Sequence, residues 1–151
     1  MEAINVQEAP AAIGPYCHAM KVGNLLFCSG QTPLDPETMK LVGTTIEEQT
    51  KRVLENLTIV LSGVGLTLQN VAKTTVYIKN MDDFQGMNKV YEEMFQGHKP
   101  SRTTISIRQN PLDALVEIER LAGQIQSSME RRGRQVQIST EIAQEIATAV
   151  A

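Results

Sequence analysis

Two stretches of this chain carry side chains suited to work on a small anionic molecule: residues 99–107, KPSRTTISI, and residues 116–119, VEIE. Thr103, Ile105 and Ile107 alternate with Arg102, Thr104 and Ser106, the period-2 signature of a half-buried strand. Pro100 stands where a strand can begin without losing a ladder donor. The polar face of that strand opens with a guanidinium, whose planar fork of donors matches a carboxylate two bonds at a time. On period alone, the plainer reading of Arg102 is a solvated surface charge. In VEIE, Glu117 and Glu119 share a face opposite Val116 and Ile118, and a positioned carboxylate is a general base. Alternation does not tell the two glutamates apart. Tyr16, Ser29 and Thr104 complete the polar residues on or beside strands. Ser29 sits in CSGQ rather than in G-x-S-x-G, and neither His18 nor His98 has a claim as its base, so a serine nucleophile is not indicated.

The elements that must hold these groups can be read from pattern. A short strand at residues 4–6 precedes a loop rich in Ala and Pro. YCHAMKV and LLFCSGQ flank Gly23-Asn24, a pair suited to a two-residue hairpin turn because glycine supplies the positive φ of a type II′ turn. TPLDPETMKLVG is loop, punctuated by two prolines and Gly43. Thr45 with Glu48 forms a capping box, in which two otherwise unpaired amides are satisfied reciprocally. Leu54, Leu57, Leu61 and Val64 continue that helix as one stripe, and Gly63 and Gly65 stop it. After a turn at Gln69-Asn70, VAKTTVYIK is a strand rich in β-branched residues. Asn80 or Asp82 caps a second helix with Met87, Val90, Tyr91, Met94 and Phe95 on one face, ended by Gly97. The Arg102 strand follows, then a turn at Gln109-Asn110-Pro111 and a last strand through LVEIERLAGQI.

The order of elements predicts an α+β fold, about six strands in one sheet with two helices on one face. Apolar residues on the uncovered face require another chain, which predicts a symmetric oligomer. Residues 1–125 form the domain. Residues 126–151 are expected to be a C-terminal extension, partly disordered or a short helix: polar, basic and disordered to about 138, then helical from Ser139 or Thr140 with Ile142, Ile146 and Val150 stacked.

Composition narrows the function. The 151 residues carry a net charge of −3, and 42% are apolar. That is an ordinary soluble composition without the basic footprint of a nucleic-acid binder. No apolar run reaches the roughly 18 residues of a membrane span. The acidic start MEAINVQEAPAAIGPY lacks the order of a signal or transit peptide, so the cytoplasm is the expected compartment. Cys17 and Cys28 form no C-x-x-C pair, and neither histidine has ligand-spaced neighbours, so no metal site is expected.

Seven collinear blocks point to a family: APAAIGPY, SGQTPLDP, EEQTKRVLENL, AKTTVYIKNMDDF, NKVYEEMF, KPSR and VEIE. Over about residues 3–124 the chain closely resembles the RidA (YjgF-type) family of reactive imine deaminases. The resemblance implies a chorismate-mutase-like (bacillus-type) mixed sheet and a homotrimer with three clefts between subunits. It implies hydrolysis of 2-iminobutanoate and 2-iminopropanoate, products of pyridoxal-phosphate-dependent threonine and serine dehydratases, to 2-oxo acids and ammonia. No cofactor is implied. Carried over residue by residue, Arg102 matches the carboxylate anchor and Glu117 the carboxylate that orients water. Glu119 matches a structural position. Backbone groups at Thr104 match a substrate contact, and Tyr16, Ser29, Gly30 and Asn88 match cleft-lining positions.

Departures from the family pattern bear on specificity. Cys17-His18 stands where Ser-Gln is common after the PY pair. Met39 replaces a glycine, implying a different turn tip, and residues 108–112 read RQNPL where A-R-L-P-K is common. Two other readings stay open: a trimer acting on a different imine or enamine, and a non-catalytic ligand- or RNA-binding protein of the translation-inhibitor or ribonuclease type. The overall charge argues against RNA, since phosphate binding needs clustered cations and only Arg131, Arg132 and Arg134 cluster.

Overall fold

A computed structural model describes residues 1–123 and Gln144. Six strands, β1 (Glu2–Ile4), β2 (Ala19–Val22), β3 (Leu25–Gln31), β4 (Val71–Ile78), β5 (Ser101–Ser106) and β6 (Val116–Gly123), form one sheet in the order β1-β2-β3-β6-β4-β5. All neighbours are antiparallel except β4 and β5. A parallel pair needs a crossover, and helix α2 (Phe84–Phe95) supplies it. Helix α1 (Ile46–Ser62) links β3 to β4. The expected single mixed sheet with two helices is therefore present. The expected tail helix lies outside the described residues apart from Gln144, which is helical.

Local chemistry accounts for most boundaries. The Thr45–Glu48 capping box forms as expected. Gly23 takes φ 57 at the hairpin tip, and Gly65, at φ 74, carries the left-handed stop after α1. Gly63 is right-handed; a Cβ there would strike Val6. The second helix starts later than its caps suggested. Asn80 accepts from the Asp82 amide at 3.0 Å, but this caps a single 3-10 turn (Met81–Asp83), and α2 begins after it without a side-chain cap. The first strand ends at Ile4 rather than Val6. Val6 instead turns away with its amide bonded to His18.

The helices cover one face of the sheet. Val53, Leu54, Leu57, Val60 and Leu61 of α1 and Met87, Tyr91 and Phe95 of α2 pack on Val76, Ile78, Val116, Ile118 and Ala122. Burying a side chain of this size contributes about 1.5–3 kcal/mol, so this layer holds the domain together. The opposite face is left open and partly apolar. Val22 pairs with Leu25 and Met20 with Phe27, which pairs in turn with Leu121. Phe27 is 49% exposed and Leu25 44%.

Candidate functional site

Strand alternation assigns each candidate to a face. Glu117 pairs with Tyr77 across β6 and β4, between neighbours Val116 and Ile118 that point into the core. It therefore lies on the open face. Arg102 pairs with Thr74, which is fully buried under α2, so Arg102 lies on the helix face of the edge strand β5. Within one chain the two charged groups sit on opposite sides of the sheet.

The Glu117 half is built on an irregularity in β3. The register with β6 shifts between Cys28 and Gln31, which sets Gly30 directly against the Glu117 carboxylate. Any Cβ at Gly30 would collide with that carboxylate. A small cavity of about 110 Å³ opens there, walled by Pro10, Ala12, Tyr16, His18, Leu112 and Glu117 among others. Burial pushes the Glu117 carboxyl above the ordinary glutamate range, and the neighbouring charge of Glu119 adds to the effect. A carboxyl raised in this way is a stronger base when ionised. Glu119 has a different environment: it is exposed and accepts a hydrogen bond from the Tyr77 hydroxyl at 3.0 Å. The two glutamates that alternation left equivalent are thus distinguished by what surrounds them.

Ser29 does not present a free hydroxyl. It donates to the Cys17 carbonyl at 2.7 Å, and its amide donates to the His18 carbonyl at 3.0 Å. Both bonds tie β3 to the segment entering β2, so Ser29 supports the cavity next to Gly30.

The Arg102 half forms a larger cleft of about 510 Å³, lined by Asn88, Tyr91, Glu92, His98, Lys99 and Arg102 among others. Arg102 is not a solvated charge. Its guanidinium carbon lies 4.8 Å from the centre of the Tyr91 ring and 5.6 Å from that of Phe84. Cation–π attraction of this kind holds a guanidinium over the rings without using its N–H donors. Among the described residues no acceptor takes them. Asn88 faces the same cleft from α2. Thr104 is on the same side of β5, and its hydroxyl is buried without a partner. β5 pairs only with β4, so among the described strands none takes up the backbone groups on its outer edge.

The structure therefore gathers Tyr16, Gly30 and Glu117 in one place and Asn88 and Arg102 in another, with Thr104 on the strand that carries Arg102. Tyr91 and Phe84 were not singled out as site residues. Tyr91 reads simply as part of the buried helix stripe, because its second role depends on β5 crossing beneath α2. His18 also reads as isolated in sequence, since both its partners are backbone groups. Among the described residues no cluster of His, Cys, Asp or Glu could hold a metal, and no helix is long and apolar enough to cross a membrane.

Comparison with known proteins places this arrangement. The family described as Endoribonuclease L-PSP matches residues 6–124. A RutC family protein of Pyrococcus abyssi is 47% identical over 121 residues, covering 80% of this chain and 95% of the relative. Reactive Intermediate Deaminase A, chloroplastic, of Arabidopsis thaliana is 40% identical over 121 residues, 80% of this chain and 65% of the plant protein. The structure of E. coli TdcF with bound serine aligns with a TM-score of 0.79 at 33% identity, covering 83% of this chain and all of the other. Matches of this length and identity, over the stretch that carries both halves of the site, make the chain a member of the RidA (YjgF-type) family, which includes reactive intermediate deaminases.

Proposed function

We propose that the chain is a cofactor-independent imine deaminase that hydrolyses 2-iminobutanoate and 2-iminopropanoate to 2-oxo acids and ammonia. It acts in the cytoplasm as a homotrimer. Each cleft combines Arg102, Thr104 and Asn88 of one subunit with Glu117, Tyr16, Ser29 and Gly30 of the next. The open apolar face around Phe27 and Leu25 supplies surface for the assembly. Two half-sites on opposite faces of one sheet become one site only by association.

The carrying observation is Arg102: a guanidinium held over two rings, lining an open cleft, with its donors unclaimed among the described residues. An imino acid offers it a carboxylate, and a charge-assisted bond of this kind contributes about 1.5–3 kcal/mol net. The TdcF relative was solved with serine, which also carries an α-carboxylate. With the carboxylate held, water adds to the imine carbon as Glu117 takes its proton and passes it to the imine nitrogen. Glu117 then takes the carbinolamine hydroxyl proton and returns it to the amine, which leaves as ammonia as the C=O bond forms. Imines already hydrolyse fast in water unaided, so an anchor and an oriented water suffice without covalent catalysis.

The test is a coupled assay in which a threonine dehydratase supplies the imine. Arg102→Ala and Glu117→Ala are expected to remain folded trimers. Loss of the positioned base is expected to lower the rate about 10²–10⁴-fold. Wild-type turnover by the Arg102 variant would overturn the reading.

A further inference from the structure

We propose that His18 is a positioning residue for the Glu117 cavity, acting as a neutral imidazole that pins the wall carrying Tyr16. This rests on the deaminase reading for its kinetic consequence, but not for its structural content. His18 is buried to 4% exposure immediately before β2. Its Nδ1 accepts the amide of Val6 at 2.9 Å, and its Nε2 lies 2.8 Å from the carbonyl of Pro10. An amide can only donate and a carbonyl can only accept. The ring is therefore held in one tautomer, with the proton on Nε2. The His18 amide also donates to Asn5 Oδ1 at 3.3 Å.

All three bonds run into residues 5–10, the segment that continues as the Pro10, Ala12 and Tyr16 wall of the cavity. One turn bond, Ala9 amide to Val6 carbonyl at 3.2 Å, closes the segment on itself. On the other side, the His18 carbonyl receives the amide of Ser29, one residue from the glycine that faces Glu117. His18 thus couples the Ala- and Pro-rich loop to the strand pair that frames the carboxylate. The sequence position is one where family members commonly carry Gln. A glutamine amide reaches the place of imidazole Nε2 and can donate to Pro10, but it offers no acceptor at the Nδ1 position.

Three variants and two structural readouts test this. Long-range ¹H–¹⁵N spectra of the wild type are expected to show a protonated Nε2 and an unprotonated Nδ1 on His18; the opposite tautomer overturns the proposal. In His18→Ala, amide exchange of residues 5–16 is expected to rise about 10–100-fold, the equivalent of the two lost imidazole hydrogen bonds, while α1 and β4 exchange as in wild type. In the same variant KM for the imine is expected to rise about tenfold at near-constant kcat, since ground-state and transition-state binding are lost alike. His18→Gln is expected to recover most of the KM, and His18→Asn, which cannot reach Pro10, to recover little. Faster exchange throughout the chain, or a freed loop with KM unchanged, sinks the positioning role and leaves the deaminase reading standing. Absence of imine turnover by the wild type sinks the deaminase reading, and the tautomer and exchange data still decide whether His18 pins the loop.

Discussion

Tyr91 and Thr74 share a buried hydroxyl–hydroxyl hydrogen bond of 2.8 Å, and Thr74 is the residue directly across the ladder from Arg102. That bond fixes the ring on which the guanidinium rests. Removing the hydroxyl alone leaves the ring and its π face in place, whereas removing the ring takes away the platform. Tyr91→Phe is therefore expected to cost about 1 kcal/mol of stability, through the unpaired Thr74 hydroxyl, with little change in KM. Tyr91→Leu is expected to raise KM for the imino acid by about 3–30-fold, the range of a partly desolvated cation–π contact. Denaturant melts and steady-state kinetics on the two variants separate the effects.

Glu117 carries a pH dependence whose sign follows from its environment. Burial and then the Glu119 charge raise its folded value above that of the unfolded chain. For a raised acid, the ionised form is the one the fold disfavours. Nothing is lost below the unfolded value; stability falls as pH rises through the window between the two values and stays lower above it. Glu117→Gln removes that loss. It is expected to melt higher than wild type at neutral pH, with the advantage disappearing in acid below the ordinary carboxylate range. The wild-type kcat/KM is expected to rise with pH through the folded value, as a general base must be ionised. Thermal melts across pH, paired with a rate profile, check both statements.

A second buried charge lies on β6, across the ladder from Thr74 on the side opposite Arg102. Arg120 is 4% exposed under α1 and donates from Nη2 to the Leu57 carbonyl at 2.5 Å, while its Nε and Nη1 have no partner. Desolvation lowers its pKa to about 10. An under-satisfied buried cation is weak support for a core, and an unbranched apolar side chain of similar length fills the same space. Arg120→Met is expected to raise unfolding stability by about 1–3 kcal/mol without altering turnover. Urea denaturation and the coupled assay read the two outcomes.

The helices, the strand order along the chain and the β5 alternation were legible because each rests on local periodicity: the Thr45–Glu48 box, the Met87–Tyr91–Phe95 stripe, the Thr103–Ile105 pattern. What local pattern does not encode is which face a strand turns toward which layer. Arg102 and Glu117 both read as polar-face residues, and the parallel placement of β5 beside β4 sends them to opposite sides. The pinning role of His18 was illegible for a related reason, since backbone groups carry no residue signature. Met39, standing where family members commonly have glycine, takes a left-handed φ of 57, a conformation that costs a residue with a Cβ about 1–2 kcal/mol.

The division of the site between faces makes a prediction that no single-chain site would share. If each cleft takes Arg102 from one subunit and Glu117 from the next, an Arg102→Ala subunit still supplies a working Glu117, and a Glu117→Ala subunit still supplies a working Arg102. Each variant alone is expected to be inactive. Unfolded together in equal amounts and refolded, random trimers are expected to regain about one quarter of the wild-type activity per cleft, since half of the anchors and half of the bases are intact and pair independently. The same two substitutions placed on one chain and mixed with wild type test the converse: about one quarter of the clefts then join two intact halves, against about one half if both groups came from a single chain. Activity of the first mixture that stays at the sum of its inactive parents would mean that the two charges never meet across a subunit boundary.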